Sequence, residues 1–169
     1  VILEQILELE YKAKADMEKG AAYYYQIGNA LYNMSYFGYE WEVADYFRSG
    51  SSWYGLKSGE AVFASIGAPF GNHETVNCSL PLYYYDKAFR LTNNPELGAR
   101  AAFMAAKCQQ NQFFTNKGSD YSIDNNQIPY VTAEYRQYFN ILKDYYSETA
   151  FYEEVVEECL YFERYAARN

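Results

Sequence analysis

From Ile2 to Ala13 the apolar residues Ile2, Leu3, Ile6, Leu7, Leu9 and Ala13 recur at intervals of three and four, with Glu4, Glu8, Lys12 and Lys14 between them. That period predicts a helix over residues 1–18, closed by Gly20, with Glu8 and Lys12 as a favourable pair one turn apart. A second helical pattern runs from Ala21 to Gly38. Tyr24, Ile27, Gly28, Leu31 and Ser35 lie along one face of it and Tyr25, Tyr32 and Tyr36 along another, so this helix should be covered on more than one side. Helical spacing returns at about Leu82–Leu91. "TNNPE" then reads as a turn in which Asn93 or Asn94 caps a helix with Pro95 in its first turn, continuing through "ELGARAAFMAAKCQQNQFF". Two last helices are predicted at about Thr132–Tyr146 and Ala150–Ala167, with "SET" between them.

Two stretches break this rhythm. Residues 49–80 are rich in Gly and Ser and read as a long, irregular, partly helical connection, and "TNKGSDYSIDNNQIP" reads as a polar loop. No alternating run of β-branched residues is long enough for a central strand. The expected fold is therefore all-α, with six to seven helices in a single domain spanning 1–169. Because the pattern opens in mid-helix on Val1, the chain reads as a fragment of a longer protein.

Some of these helices resemble one another. Tyr24-Tyr-Gln-Ile27-Gly28-Asn-Ala-Leu31 places large, large, small and large residues where the first helix of a tetratricopeptide (TPR) repeat has W-x2-L-G-x2-Y, with Tyr for Trp and Leu for the last Tyr. "YYYDKAFRLTNNPE" resembles the second helix of that repeat, with Tyr85 three residues before the small Ala88 and Pro95 about two residues late. Ala101, Met104, Ala105 and Cys108 hold the first-helix spacing again, "YFNILKDYY" stands as another second helix, and Tyr152, Val155, Val156 and Cys159 as a further first helix. Cys108 and Cys159 lie 51 positions apart; setting aside a polar insertion of about 18 residues leaves close to the roughly 34 of this repeat class. The physical content is close packing: a small residue such as Gly28 or Ala105 lets a partner helix approach, and large neighbours fill the groove. The resemblance covers about two-thirds of the chain and departs from the family over 49–80. It implies antiparallel hairpins stacked as a short right-handed solenoid, and a non-catalytic module that binds a protein or peptide partner or assembles with one.

Composition changes the picture in three ways. Tyr supplies 21 of 169 residues, so the mean hydropathy is −0.44 although half of the chain is apolar. The net charge of −8 without any run of basic residues excludes the usual phosphate-binding surface of a nucleic-acid partner. The longest apolar stretches fall far short of the roughly 20 residues of a membrane-spanning helix. Cys78, Cys108 and Cys159 are an odd number without CxxC spacing, which predicts buried thiols rather than a disulfide framework or a zinc site, with Cys108 and Cys159 unbridged.

Candidate chemistry is sparse. His73 is the sole histidine and lacks an oriented partner beyond its neighbour Glu74. Glu153, Glu154, Glu157 and Glu158 share a helical face, but carboxylate-bridged metal helices need Glu-x-x-His, so a solvated acidic face is expected. Asp120, Asp124, Asn125 and Asn126 lack the calcium-loop order, Ser51 and Ser52 lack a nucleophile elbow, and Gly67–Gly71 is no phosphate loop. Nothing singles out two carboxylates for glycoside hydrolysis. The sequons at Asn33 and Asn77 read as chance matches. No catalytic residue, cofactor or metal is therefore expected. The remaining feature is a set of aromatic rings in and beside the connection: Trp41, Trp53, Tyr54, Phe63 and Phe70, of which Trp41, Trp53, Tyr54 and Phe70 are the candidate contacts. Exposed rings there would anchor a partner or stack on sugars, the second reading being a glycan-binding domain of a bacterial cell-surface system. In the stretch before it only Tyr39 and Trp41 remain plausible contacts, and a cell-envelope location goes with the glycan reading.

Overall fold

The computed structural model of the protein describes residues 2–40, 76–117 and 131–168. Among these residues there are seven α-helices, one 3-10 turn and no strand. The helices are α1 (Ile2–Ala15), α2 (Gly20–Met34), α3 (Ser79–Leu91), α4 (Pro95–Lys117), α5 (Gln137–Tyr146), α6 (Ala150–Glu158) and α7 (Leu160–Arg168).

Local chemistry accounts for the boundaries. The Asp16 carboxylate accepts the backbone N–H groups of Glu18 and Lys19, making the turn that joins α1 to α2. Asn94 caps α4 as its sequence predicts: its Oδ1 accepts the N–H of Glu96 at 2.9 Å and of Leu97 at 3.2 Å, and Pro95 occupies the first position. Thr149 caps α6 by accepting the N–H of Tyr152.

Several predicted boundaries differ. The second helix ends at Met34, not Gly38, because Ser35 turns extended and its hydroxyl bonds back to the Tyr32 carbonyl. The helix expected from Leu82 starts at Ser79, where the Asn77 side chain takes the Ser79 N–H, so the connection expected over 49–80 ends earlier. The rest of that connection lies outside the described residues. The helix expected from Thr132 is a 3-10 turn, Ala133–Tyr135, followed by α5. The final helix expected over 150–167 is two helices, broken at Cys159, whose φ of −107° and ψ of 88° leave the helical region. That break lets α7 turn its aromatic face onto α5.

Contacts between the helices order them along the chain. Lys87 lies over the Tyr24 ring, the Tyr85 hydroxyl bonds Asn29, and Asn111 reaches both Tyr32 and Cys78, so α2 and α3 run antiparallel. Asn111 reaches Cys78 and Gln112 reaches Ser79, so the end of α4 lies against the start of α3. Asn116 bonds Tyr135, Gln109 accepts the Tyr138 N–H, and a Cβ at Gly98 would touch the Tyr146 hydroxyl, which sets α5 antiparallel to α4. Beyond these neighbours, alternate helices meet: Tyr32 of α2 bonds Asn111 of α4, and Phe103 of α4 packs edge-on against Phe151 of α6. The same holds for α3, α5 and α7. Tyr138 of α5 donates to Asp86 of α3 at 2.5 Å, and Phe139 of α5 stacks on Phe162 of α7.

The core holds most of the residues that the spacing marks for packing. Tyr24, Ile27, Tyr85, Ala88, Ala101, Ala105 and Cys108 are buried, Gly28 with them, while Leu31 and Met104 are half-buried at the edge. Gly28 lies directly under the Tyr85 ring: a Cβ there would fall 2.7 Å from Cε1. That is the close approach the small residue was expected to allow. Tyr25 packs against both of the larger core clusters, which is how α2 comes to be covered on two sides.

Candidate interaction surface

The face of α1 that carries Ile6 and Ala13 is buried against α2, but Leu3, Leu7 and Tyr11 recur one turn apart on a different face and are 69%, 64% and 75% exposed. On α3 the stripe Leu80, Tyr83, Lys87 and Leu91 lies beside the core-facing Tyr84 and Ala88, with Leu80, Tyr83 and Leu91 exposed. Between α1 and α3 the Glu10 carboxylate accepts a hydrogen bond from the Tyr84 hydroxyl at 3.3 Å and pairs with Lys14 at 3.4 Å.

Lys87 sits at the middle of this surface. Its ammonium lies 4.8 Å from the Tyr24 ring centroid and 4.5 Å from that of Tyr83, a geometry in which two ring faces attract one cation. Hydrogen bonding to Tyr83 holds the ammonium above its ordinary pKa, against a small opposing effect of burial. Burial, aided by the Glu10 carboxylate, raises the Tyr84 phenol. The α3 stripe thus offers aliphatic and aromatic area with phenolic tips and the Lys87 ammonium between two rings.

The residues expected to make contacts are distributed unevenly. Trp41, Trp53, Tyr54 and Phe70 lie outside the described residues, as do His73, Phe63 and the Asp120–Asn126 group. Tyr39 is 93% exposed. The α1 and α3 stripes were missed in the sequence. The usable signal was that Leu3 and Leu7 do not share the face of Ile2, Ile6, Leu9 and Ala13.

A second polar group is buried where α2, α3 and α4 meet. The Asn111 amide donates to the Tyr32 hydroxyl at 3.1 Å and to the Cys78 sulfur at 3.9 Å. Cys108, one turn before Asn111, lies in the same buried cluster as Cys78, and the Ser35 hydroxyl donates to the Tyr32 carbonyl at 2.6 Å. Cys78 has φ 51°, and among the described residues no other non-glycine residue has positive φ. Burial drives the Tyr32 phenol well above its ordinary pKa. The neighbouring Cys108 draws the Cys78 thiol down against the effect of burial, while burial pushes Cys108 up. Among the described residues no buried side-chain nitrogen or oxygen lacks a partner.

The three thiols are unbridged, Cys78 and Cys108 fully buried and Cys159 half-buried rather than buried. Among the described residues no three His, Cys, Asp or Glu side chains come together as a metal site. Glu153, Glu154, Glu157 and Glu158 are exposed, with Glu154 3.7 Å from Arg100. No described helix is long and apolar enough to cross a membrane. No family model, curated protein or solved structure matches this chain.

Proposed function

We propose that the chain is a non-catalytic protein-interaction or assembly module built on TPR-like helical hairpins stacked as a short right-handed solenoid. The stacking is supported by the order of contacts, first helix on first helix and second on second, and by Gly28 lying under Tyr85. The binding role rests on one observation, the exposed apolar stripes Leu3, Leu7, Tyr11 on α1 and Leu80, Tyr83, Leu91 on α3. Surface of this kind gains free energy when a partner covers it, at about 25 cal/mol per Å² of apolar area.

The alternative is a glycan-binding domain in which Tyr39, with its almost fully exposed ring, continues into Trp41 and the aromatics after it. Selection from a displayed peptide library, run in parallel with a glycan array, separates the two. The interaction reading expects selected peptides to lose at least about tenfold in affinity, or roughly 1.4 kcal/mol, with the double variant Leu7→Lys, Tyr83→Lys, whose melting temperature stays near that of the parent. It is overturned if no peptide is selected while a glycan binds and Trp41→Ala with Trp53→Ala abolishes that binding.

A further inference from the structure

Along α1 the exposed residues Glu4, Leu7, Tyr11 and Lys14 follow one another at intervals of three, four and three. That is the spacing of seam residues where two helices pack side by side at a small crossing angle. Leu3 flanks the seam one turn before Leu7, and among the described residues Leu3, Leu7 and Tyr11 belong to no core cluster. The core-facing Ile6 and Ala13 lie on a different face of the helix and are buried, so the seam points away from α2.

The two ends of the seam differ in charge. Glu4 stands in the first turn of α1 and Lys14 in the last, with Leu7 and Tyr11 between them. When two such helices pair antiparallel, Leu7 of each copy meets Tyr11 of the other, and Glu4 of each meets Lys14 of the other. Parallel pairing sets carboxylate against carboxylate and ammonium against ammonium. A two-fold dimer needs a surface complementary to itself, and this one is so in a single orientation. Lys14 lies 3.4 Å from Glu10 with 62% of its side chain exposed, so its ammonium has room for a second carboxylate. The α3 stripe lacks this property: Lys87 is charged, and no carboxylate of Leu80, Tyr83, Lys87 and Leu91 answers it.

We infer that the α1 stripe is the contact between two copies of this chain, paired antiparallel through Leu7 and Tyr11. The inference rests on the reading of that stripe as a contact surface and names its occupant. A seam of this length covers less than the roughly 1,200–2,000 Å² of a standard interface. The pair therefore forms reversibly, by mass action.

Sedimentation equilibrium of the native chain from about 1 µM to about 1 mM tests this. The weight-average mass should climb from 19.7 kDa toward twice that value and no further. Leu7→Lys should weaken the pairing at least about tenfold, whereas Tyr83→Lys on α3 should leave it unchanged. Glu4→Lys leaves both ends of the seam positive and Lys14→Glu leaves both negative, so each should self-associate at least about tenfold more weakly than the parent. An equimolar mixture of these two variants should recover the parent's association, since every end then meets its opposite. The inference is overturned if the chain is monomeric at the highest concentration, grows past the dimer, or pairs as tightly with Leu7→Lys as without it. A Tyr83→Lys variant as impaired as Leu7→Lys, or a mixture that associates no better than its two components, overturns it equally. Should Leu7→Lys not fold, the two charge variants, both at exposed positions, decide the outcome. A chain that stays monomeric yet selects peptides sensitive to Leu7→Lys, Tyr83→Lys overturns the pairing and leaves the interaction reading intact. One that pairs through α1 yet selects no peptide supports the pairing and restricts that reading to assembly.

Discussion

Replacing Gly28 by alanine tests the contact on which the packing of α2 against α3 depends. The added Cβ would meet the Tyr85 ring at 2.7 Å from Cε1, 2.8 Å from Cδ1 and 3.1 Å from Cζ, against an optimum of roughly 3.5–4 Å between carbons. Tyr85 cannot readily give way, since its ring is fully buried and its hydroxyl donates to Asn29 Oδ1 at 2.8 Å, on the residue next to Gly28. Overpacking of a core costs about 1–3 kcal/mol, and sliding the ring would also strain a hydrogen bond of about 1 kcal/mol. Against this, alanine gains about 1 kcal/mol over glycine within a helix. The expected net loss is about 2 kcal/mol, or roughly 4–8 °C in melting temperature for a chain of this size. Gly98→Ala is the control. Its Cβ meets the hydroxyl end of the half-buried Tyr146, 2.5 Å away, which can rotate outward, so its loss should be at least about 1 kcal/mol smaller. Urea unfolding of both variants, and of Gly28→Ala in a Tyr85→Leu background, completes the measurement. If Gly28→Ala is as stable as the parent, or remains as harmful without the Tyr85 ring, the close approach of α2 and α3 is wrong.

Three further outcomes are expected. Glu96 stands in the first turn of α4, yet its two carboxylate oxygens accept the N–H groups of Ala150 and Phe151 at the start of α6. Glu96→Ala should therefore cost about 1–2 kcal/mol and raise amide exchange at α6, and unchanged exchange there would contradict the contact. Asn94→Ala should lower stability by about 1 kcal/mol through loss of the α4 cap, measured by thermal unfolding. The phenols of Tyr32, Tyr85 and Tyr138 are all raised by burial. The unfolded chain ionises them near the ordinary tyrosine value of about 10 and the folded chain only above it, so their contribution to stability is intact below about pH 10 and is lost as pH rises further. An ultraviolet tyrosinate titration should show one class ionising reversibly and a second class, holding Tyr32, Tyr85 and Tyr138, ionising only with unfolding. A single class titrating without unfolding would refute the burial of these rings.

Most of the helices were legible in the sequence, because a helix is specified by its own neighbours: three-and-four spacing, and an Asn before Pro95. Gly28, Tyr85, Ala88 and Ala105 were also legible as packing residues, since a small residue among large ones is a local pattern with one physical use. What the sequence could not determine depends on groups far apart along the chain. The end of α6 at Cys159 follows no breaker residue; it goes with the stacking of Phe162 and Tyr165 on Phe139. Glu96 looks like an ordinary first-turn acid until α6, 54 positions later, places its N-terminus against it. Leu3 and Leu7 read as core by hydrophobicity alone, and only the position of α2 decides that Ile6 and Ala13 are covered and those two are not. Periodicity determined that this chain is a set of helices with small residues at their crossings. Tertiary packing decided which apolar face stays open and that Asn111 of α4 meets Tyr32 and Cys78, because both are properties of pairs of helices and neither is written in one.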